Sequence, residues 1–448
     1  MGTTAIRSVQ IGASVGGGAD ADSNHLPDDS GITYVSTATT DAAVDSFGGG
    51  DESSHEEGHG RREPGQDILA PIGCVNKTGG VKFGSADGEF IRAMRGAVTV
   101  NHRFRGADGG DPLAEAWGLA LNSGLALHSP SDATVAVTGA GAGAGEAEIA
   151  AADRAKLTVG MPIRIRKNNV DHYAQITDMS DAGGTTTLTL HPAMAFNPDA
   201  GDVITLCYAF YPVVGTTALG NDVFAKFDMG GDAASATVRR LAAMCRCSGF
   251  SLANDNGAVS LSYTLAAGAI LTDDANASTV QASESDGEVM QHRYGCRTDI
   301  SAALSGSAPY SAARTLVPNF DWSATAEISV SLDSPDTRSI MGGTAQDVTN
   351  ATLGVDITTT GPNPVLADLL RKSQRVTVIL GMGPVGDSSG GAVCIWNAGS
   401  GGSSSLGSGD GGLINQSNAL RALSGYAGTV ASTALARAAW CIALPYKA

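Results

Sequence analysis

The sequence predicts a mainly β chain with a few short helices, and three observations carry that reading. Alternating apolar and polar runs recur, as in Ala97-Val98-Thr99-Val100-Asn101-His102-Arg103-Phe104-Arg105, with the period of two that a half-buried strand requires. Gly, Asp, Asn and Pro clusters separate the runs, drawn from 59 glycines and 16 prolines in 448 residues, and such clusters mark turns. Hydrophobic residues make up 42% of the chain, enough to bury real cores. The glycines have no three-residue period, which excludes collagen.

Residues 1–66 read as a Gly/Ala/Asp-rich N-terminal arm with little periodicity. Alone, such a segment cannot bury enough apolar surface to offset its ordering entropy, so neighbouring copies of the chain are expected to hold it. Residues 67–300 form the first folded region. After the strand around Val98, Asp111 is placed to cap a helix and Pro112 to open it, with Leu113, Ala116, Trp117 and Ala120 on one face over Pro112–Leu121,. Thr134 to Gly145 reads as a loop of alternating Gly and Ala. Residues 157–208 hold four runs, at Met161–Arg166, His172–Thr177, Thr185–Leu190 and Val203–Leu206. Turn residues separate them, and the spacing predicts a small β-barrel inserted in its host. Ser248–Ala253 and Ala258–Leu265 flank Asn254-Asp255-Asn256-Gly257, a strong hairpin signal.

Residues 309–448 form the second region, with strands at Ala326–Leu332 and Leu353–Thr360 and a helix at Pro364–Leu370. Its order of alternating strand, Gly turn, Pro and short apolar helix repeats that of Val98 to Leu121, which predicts a duplicated fold.

Composition narrows function. The 28 basic and 45 acidic residues give a formal charge of −17, against a protein that grips nucleic acid by its phosphates. Twenty-one of the basic residues are Arg, a residue suited to interfaces. Seven cysteines form no spaced framework and read as buried free thiols in a reducing compartment. No apolar stretch is long enough to span a bilayer, and the first residues do not read as a secretory signal.

The motifs that resemble catalytic or binding sites fail on context. His55-Glu56-Glu57-Gly58-His59 matches a zinc-protease pattern that needs a helix, and Gly58 and Gly60 oppose one,. Gly381-Met382-Gly383-Pro384-Val385-Gly386 follows a strand but opens no helix to receive a pyrophosphate,, so it reads as a strand-to-strand loop. Gly386-Asp387-Ser388-Ser389-Gly390-Gly391 lacks a base and an orienting acid in matching context,. No catalytic residue, cofactor or metal site is expected, and the chain is not expected to be an enzyme. Arg92, Arg95, Arg103 and Arg105 form the local basic cluster, read as intersubunit ion pairs in preference to a phosphate strip. With Leu113 and Trp117, taken as structural, they are the candidate interface residues.

The hairpin in CRCSGFSLANDNGAVSLSYTLAAG and the stretch AEISVSLDSPDTRSIMGGTAQDVTNATLGVDITTTGPNPVLADLLRKS together resemble the major tail tube protein of long-tailed bacteriophages. The resemblance spans roughly residues 80–448 and is one of pattern rather than of a diagnostic motif. It implies a β-sandwich flanked by a helix, self-assembled into trimeric or hexameric rings according to whether each chain holds two sandwiches or one. The rings would stack as a tube that binds other tail proteins and passes DNA through its lumen without specific binding. The implied location is the phage tail of the virion, assembled in the host bacterial cytoplasm, with no membrane partner. From the charge balance we expect an acidic lumen. A capsid decoration or surface-adhesion β-protein is the alternative.

Overall fold

The computed structural model describes residues 6–15, 28–38, 42–49, 96–104, 111–168, 170–194, 196–213, 219–229, 238–255, 258–274, 282–283, 298–303, 315–316, 321–332, 346–360, 375–382, 392–398, 403–408, 414–422 and 433–446. In chain order these supply β1 (Ile6–Ala13), β2 (Tyr34–Ala38), β3 (Ala42–Gly49), β4 (Gly96–Arg103), helix α1 (Ala116–Gly124), β5 (Ala126–His128), β6 (Thr134–Ala140) and β7 (Glu146–Ala150). Next come β8 (Pro162–Lys167), β9 (Val170–Ala182), β10 (Thr185–His191), β11 (Val203–Tyr211), β12 (Val223–Met229), β13 (Val238–Asp255) and β14 (Ala258–Asp274). Then follow β15 (Ala282–Ser283), β16 (Thr298–Ala303), β17 (Thr315–Leu316), β18 (Asp321–Leu332), β19 (Gln346–Thr360) and β20 (Arg375–Met382). The last are β21 (Ala392–Ala398), β22 (Ser403–Ser408), β23 (Ile414–Arg421), helix α2 (Ala434–Arg437) and β24 (Trp440–Pro445).

The protein is mainly β, with two large sheets and few helices. Among the described residues each sheet has 12 strands, antiparallel apart from the short β15–β2 pair. The front sheet runs β15-β2-β1-β12-β13-β18-β19-β23-β22, with β14, β4 and β3 continuing from β13. The back sheet runs β17-β16-β20-β21-β24-β11-β6-β7-β10-β9-β8, with β5 on β11. β11 also pairs β8, so β6, β7, β10, β9, β8 and β11 each have two partners within their own set.

Strand alternation decides which core each side chain enters. The main core joins the inward faces of both sheets, with Val98, Val100, Phe250, Leu261 and Ile328 from the front and Phe210, Leu380, Trp440 and Ile442 from the back. Phe250 and Trp440 meet across it edge to face at 5.5 Å. A second core lies behind the back sheet, where Ile163, Ile165, Leu188 and Ile204 pack against Ile379, Cys441 and Ala443. The back-sheet strands β20 and β24 therefore bury alternate residues in opposite directions, which fits the unbroken apolar run Trp440-Cys441-Ile442-Ala443-Leu444.

Four expectations need correcting. First, the segment read as an arm supplies β1, β2 and β3, with Val9 and Ile11 fully buried in the main core. The chain's own sheet orders these strands, and no neighbouring copy is required for them. β3 pairs with β4 so that Gly49 faces Gly96. Second, Thr134–Ala140 is strand β6 and not a loop, because Val135 and Val137 turn inward while Thr134, Ala136 and Thr138 are exposed. Third, the four runs at 157–208 are strands, but β6 and β7 pair into the same set, so it starts before residue 157.

The fourth concerns the helix at Pro112. Asp111 caps it as expected, its Oδ1 accepting from the Leu113 N–H at 2.9 Å. A 3-10 turn over Pro112–Ala114 then stops at Glu115, which is extended at φ −108° and ψ 143°, before α1 begins at Ala116. The turn folds back until the Pro112 carbonyl lies against Gly118, leaving no room for a Cβ there. Leu113 is half-buried. Trp117 is fully buried, edge to face with Phe104 at 5.0 Å and Phe210 at 6.2 Å. The helix expected at Pro364–Leu370 lies outside the described residues.

Removing the Trp117 indole empties a fully packed site, so Trp117→Ala is expected to cost about 3–5 kcal/mol in guanidinium unfolding. Leu113→Ala should cost clearly less, and equal losses would show that the turn and not the indole anchors the helix.

Candidate functional site

Among the sequence candidates, Trp117 and Leu113 are structural positions of the helix–sheet junction. Arg103 is exposed at the end of β4. Arg92, Arg95 and Arg105 lie outside the described residues, as do His55, His59 and Ser388. The expected loop after Leu380 does join two strands, since β20 and β21 are antiparallel neighbours with Met382 facing Ala392. Among the described residues, no three His, Cys, Asp or Glu side chains gather as a metal site, and no helix is long and apolar enough to cross a membrane.

Cys207, Cys245, Cys247 and Cys441 are buried free thiols. Burial pushes Cys247 and Cys441 up to about 12 and also raises Cys207 and Cys245. A thiol held protonated in this way is a poor nucleophile.

The helix is tied to the front sheet by Arg246, a polar residue that the sequence reading passed over. Its Nη2 meets Asp222 Oδ1 at 2.7 Å, both side chains 8% exposed, and its Nη1 donates to the Ser123 carbonyl at 2.7 Å and the Gly220 carbonyl at 3.3 Å. Ser123 Oγ accepts from the Cys247 N–H at 2.9 Å. The guanidinium sits at the C-terminal end of α1, where a cation is favoured by the free carbonyls. A second polar cluster, behind the back sheet, sets Arg164 and Arg166 at 3.7 and 3.8 Å from Asp171. Burial raises the Asp171 carboxyl against the pull of both arginines.

Among the described residues, the outward face of the front sheet is a surface to which several strands contribute. Alternation that buries Leu252, Leu261, Tyr263, Ala324 and Ala326 turns small hydroxyl residues outward. Across the strands the register aligns Asn101, Ser262, Ser251, Thr325 and Gly354 in one row. Beside it run Thr99, Thr264, Gly249, Glu327 and Thr352. Hydroxyls bond laterally, Thr99 to Thr264 at 3.0 Å and Ser251 to Thr325 at 3.2 Å. The charges exposed in and beside these rows, Arg103, Arg421, Glu327 and Asp356, balance. Such a face offers many weak hydrogen bonds and neither a nucleophile–base pair nor a cationic strip.

No protein-family model matches the chain, and a search of curated proteins finds no match.

Two outcomes are expected. Arg246→Ala strands a buried carboxylate partner and should lower stability by about 3–5 kcal/mol, measured by chemical unfolding; a loss under about 1 kcal/mol would place the pair in solvent. The folded chain also keeps its thiol protons beyond the ordinary thiol value of 9.0. Above that pH the unfolded chain binds fewer protons, so stability present below it falls as pH rises. Denaturant midpoints should decline there, with Cys207, Cys245, Cys247 and Cys441 resisting alkylation in the native chain.

Proposed function

We propose that the chain is a bacteriophage virion protein that polymerises into stacked rings forming a hollow tail tube. The observation that carries this reading is a route the chain takes twice. β4 in the front sheet leads through α1 to β5 and β11 in the back sheet, and returns through β12 and β13 to β14, which pairs with β4. β19 in the front sheet leads to β20 and β21 in the back sheet, and returns through β22 to β23, which pairs with β19. We read this as two β-sandwich units of the tail-tube type, side by side and sharing one core. Their sheets join at β13–β18 in front and β11–β24 behind. The ring of β6 to β11 is read as the small inserted barrel.

With two units per chain, a ring takes three chains. The outward hydroxyl face of the front sheet suits the channel wall, since DNA sliding past it meets no run of cations and is not held. The acid excess expected of the lumen is not on these rows, whose charges balance. Arg103 stands beside these rows on the same face, so on this reading it belongs to the channel wall and departs from the subunit-contact role expected of it.

Electron microscopy of the purified chain tests this. Open-ended tubes with three chains per ring support it, and isolated trimers or shell-bound particles favour the capsid-decoration reading. Strict sixfold symmetry with one sandwich per chain would remove the duplication. Replacing Ser251, Ser262 and Thr325 together by Arg should leave tubes formed but make DNA association strongly salt-dependent if this face lines the channel.

A further inference from the structure

On the outward side of β12, Lys226 lies between Ala225 and Phe227, which turn into the main core. Strand β1 runs beside it, with Gln10 opposite Lys226, and β2 runs beside β1. The turn that precedes β2, closed by the Ile32 N–H donating to the Asp29 carbonyl at 3.0 Å, reaches back over β1 and delivers Asp29 onto Lys226. The Lys226 side chain is 11% exposed and that of Asp29 24%. Tyr34, 1% exposed, completes the arrangement: Lys226 Nζ stands 4.1 Å from its ring centroid, and its hydroxyl donates to Asp29 Oδ2 at 2.9 Å.

The other carboxylate on this stretch of β12 is Asp228, and it is already engaged. Arg239 Nε reaches it at 2.8 Å, Gln10 Nε2 at 2.9 Å and Ser8 Oγ at 3.2 Å. The amine of Lys226 is thus directed to Asp29, in a site walled by an aromatic ring and two strands.

We propose that Lys226 and Asp29 condense into an intramolecular isopeptide bond. The ammonium passes one proton to the Asp29 carboxylate, and the free Nζ attacks Cγ. Tyr34 donates its hydrogen bond to Oδ2 as charge develops there, the role of an oxyanion donor. A second proton moves from Nζ to Oδ1, the Cγ–Oδ1 bond breaks, and water leaves. One C–N bond forms, one C–O bond breaks, nothing is oxidised or reduced, and no co-reactant is needed. Burial and the neighbouring Asp29 raise the Tyr34 phenol well above its ordinary value, so it stays protonated as a donor. The bond covalently fastens the β1–β2 segment to β12, across strands that otherwise hold by noncovalent contacts alone.

Intact-mass measurement on the purified full-length chain decides the matter. The expected mass is one water below that of the sequence, with a branched peptide joining the Asp29 and Lys226 segments after proteolysis. Lys226→Arg keeps a cation against Asp29 but cannot form the bond, and its chain should return to the full mass. A wild-type chain at full sequence mass, or a water loss that maps to another pair, overturns the proposal.

Discussion

Burial of the back sheet on both faces is the constraint on which the rest of the structure depends. In β24, Trp440, Ile442 and Leu444 enter the main core while Cys441 and Ala443 enter the one behind it. β20 divides in the same way, Val378 and Leu380 to the front and Ile379 to the rear. A strand loaded on both faces has no polar side to give to water, so its sequence is continuously apolar. Over β4, β14, β13 and β18 the front sheet is loaded on one face. Its other face there is left mainly to hydroxyls, which makes this part of the front sheet suited to contact with something outside the chain.

Much of this was legible where the pattern was local. The β13–β14 hairpin follows from its Asn/Gly turn, and Ser260-Leu261-Ser262-Tyr263-Thr264-Leu265 already separates an apolar from a hydroxyl face. The runs at β8, β9, β10 and β11 carry β-branched and apolar residues in alternation, and all four are strands. The misses have physical causes. β6 ends in small Ala and Gly, which carry little side-chain signal, so two valines had to mark it. In β1 the alternation Val9-Gln10-Ile11-Gly12 is only one turn of pattern long, and its burial depends on β12, distant in sequence.

The polar features show the same limit more sharply. Arg246 stands between two cysteines in an apolar strand, and nothing adjacent in sequence reveals that Ser123, Gly220 and Asp222 will surround it. Lys226 and Asp29 are likewise brought together only by the strand order β2-β1-β12. Of the basic cluster, only Arg103 lies among the described residues. Side chains that act across strands are fixed by register, and register is a property of the whole sheet.

The position of β24 has a consequence for synthesis. It fills the gap between β21 and β11, so until the ribosome has passed Pro445 both neighbours expose bare edges to solvent. An exposed strand edge is a template for pairing with another chain. The main core closes only when Trp440, Ile442 and Leu444 arrive, after all the other described strands. Nascent chains therefore need shielding from one another, and a premature stop codon just before Trp440 would release a polypeptide with two open edges and an unfilled interior.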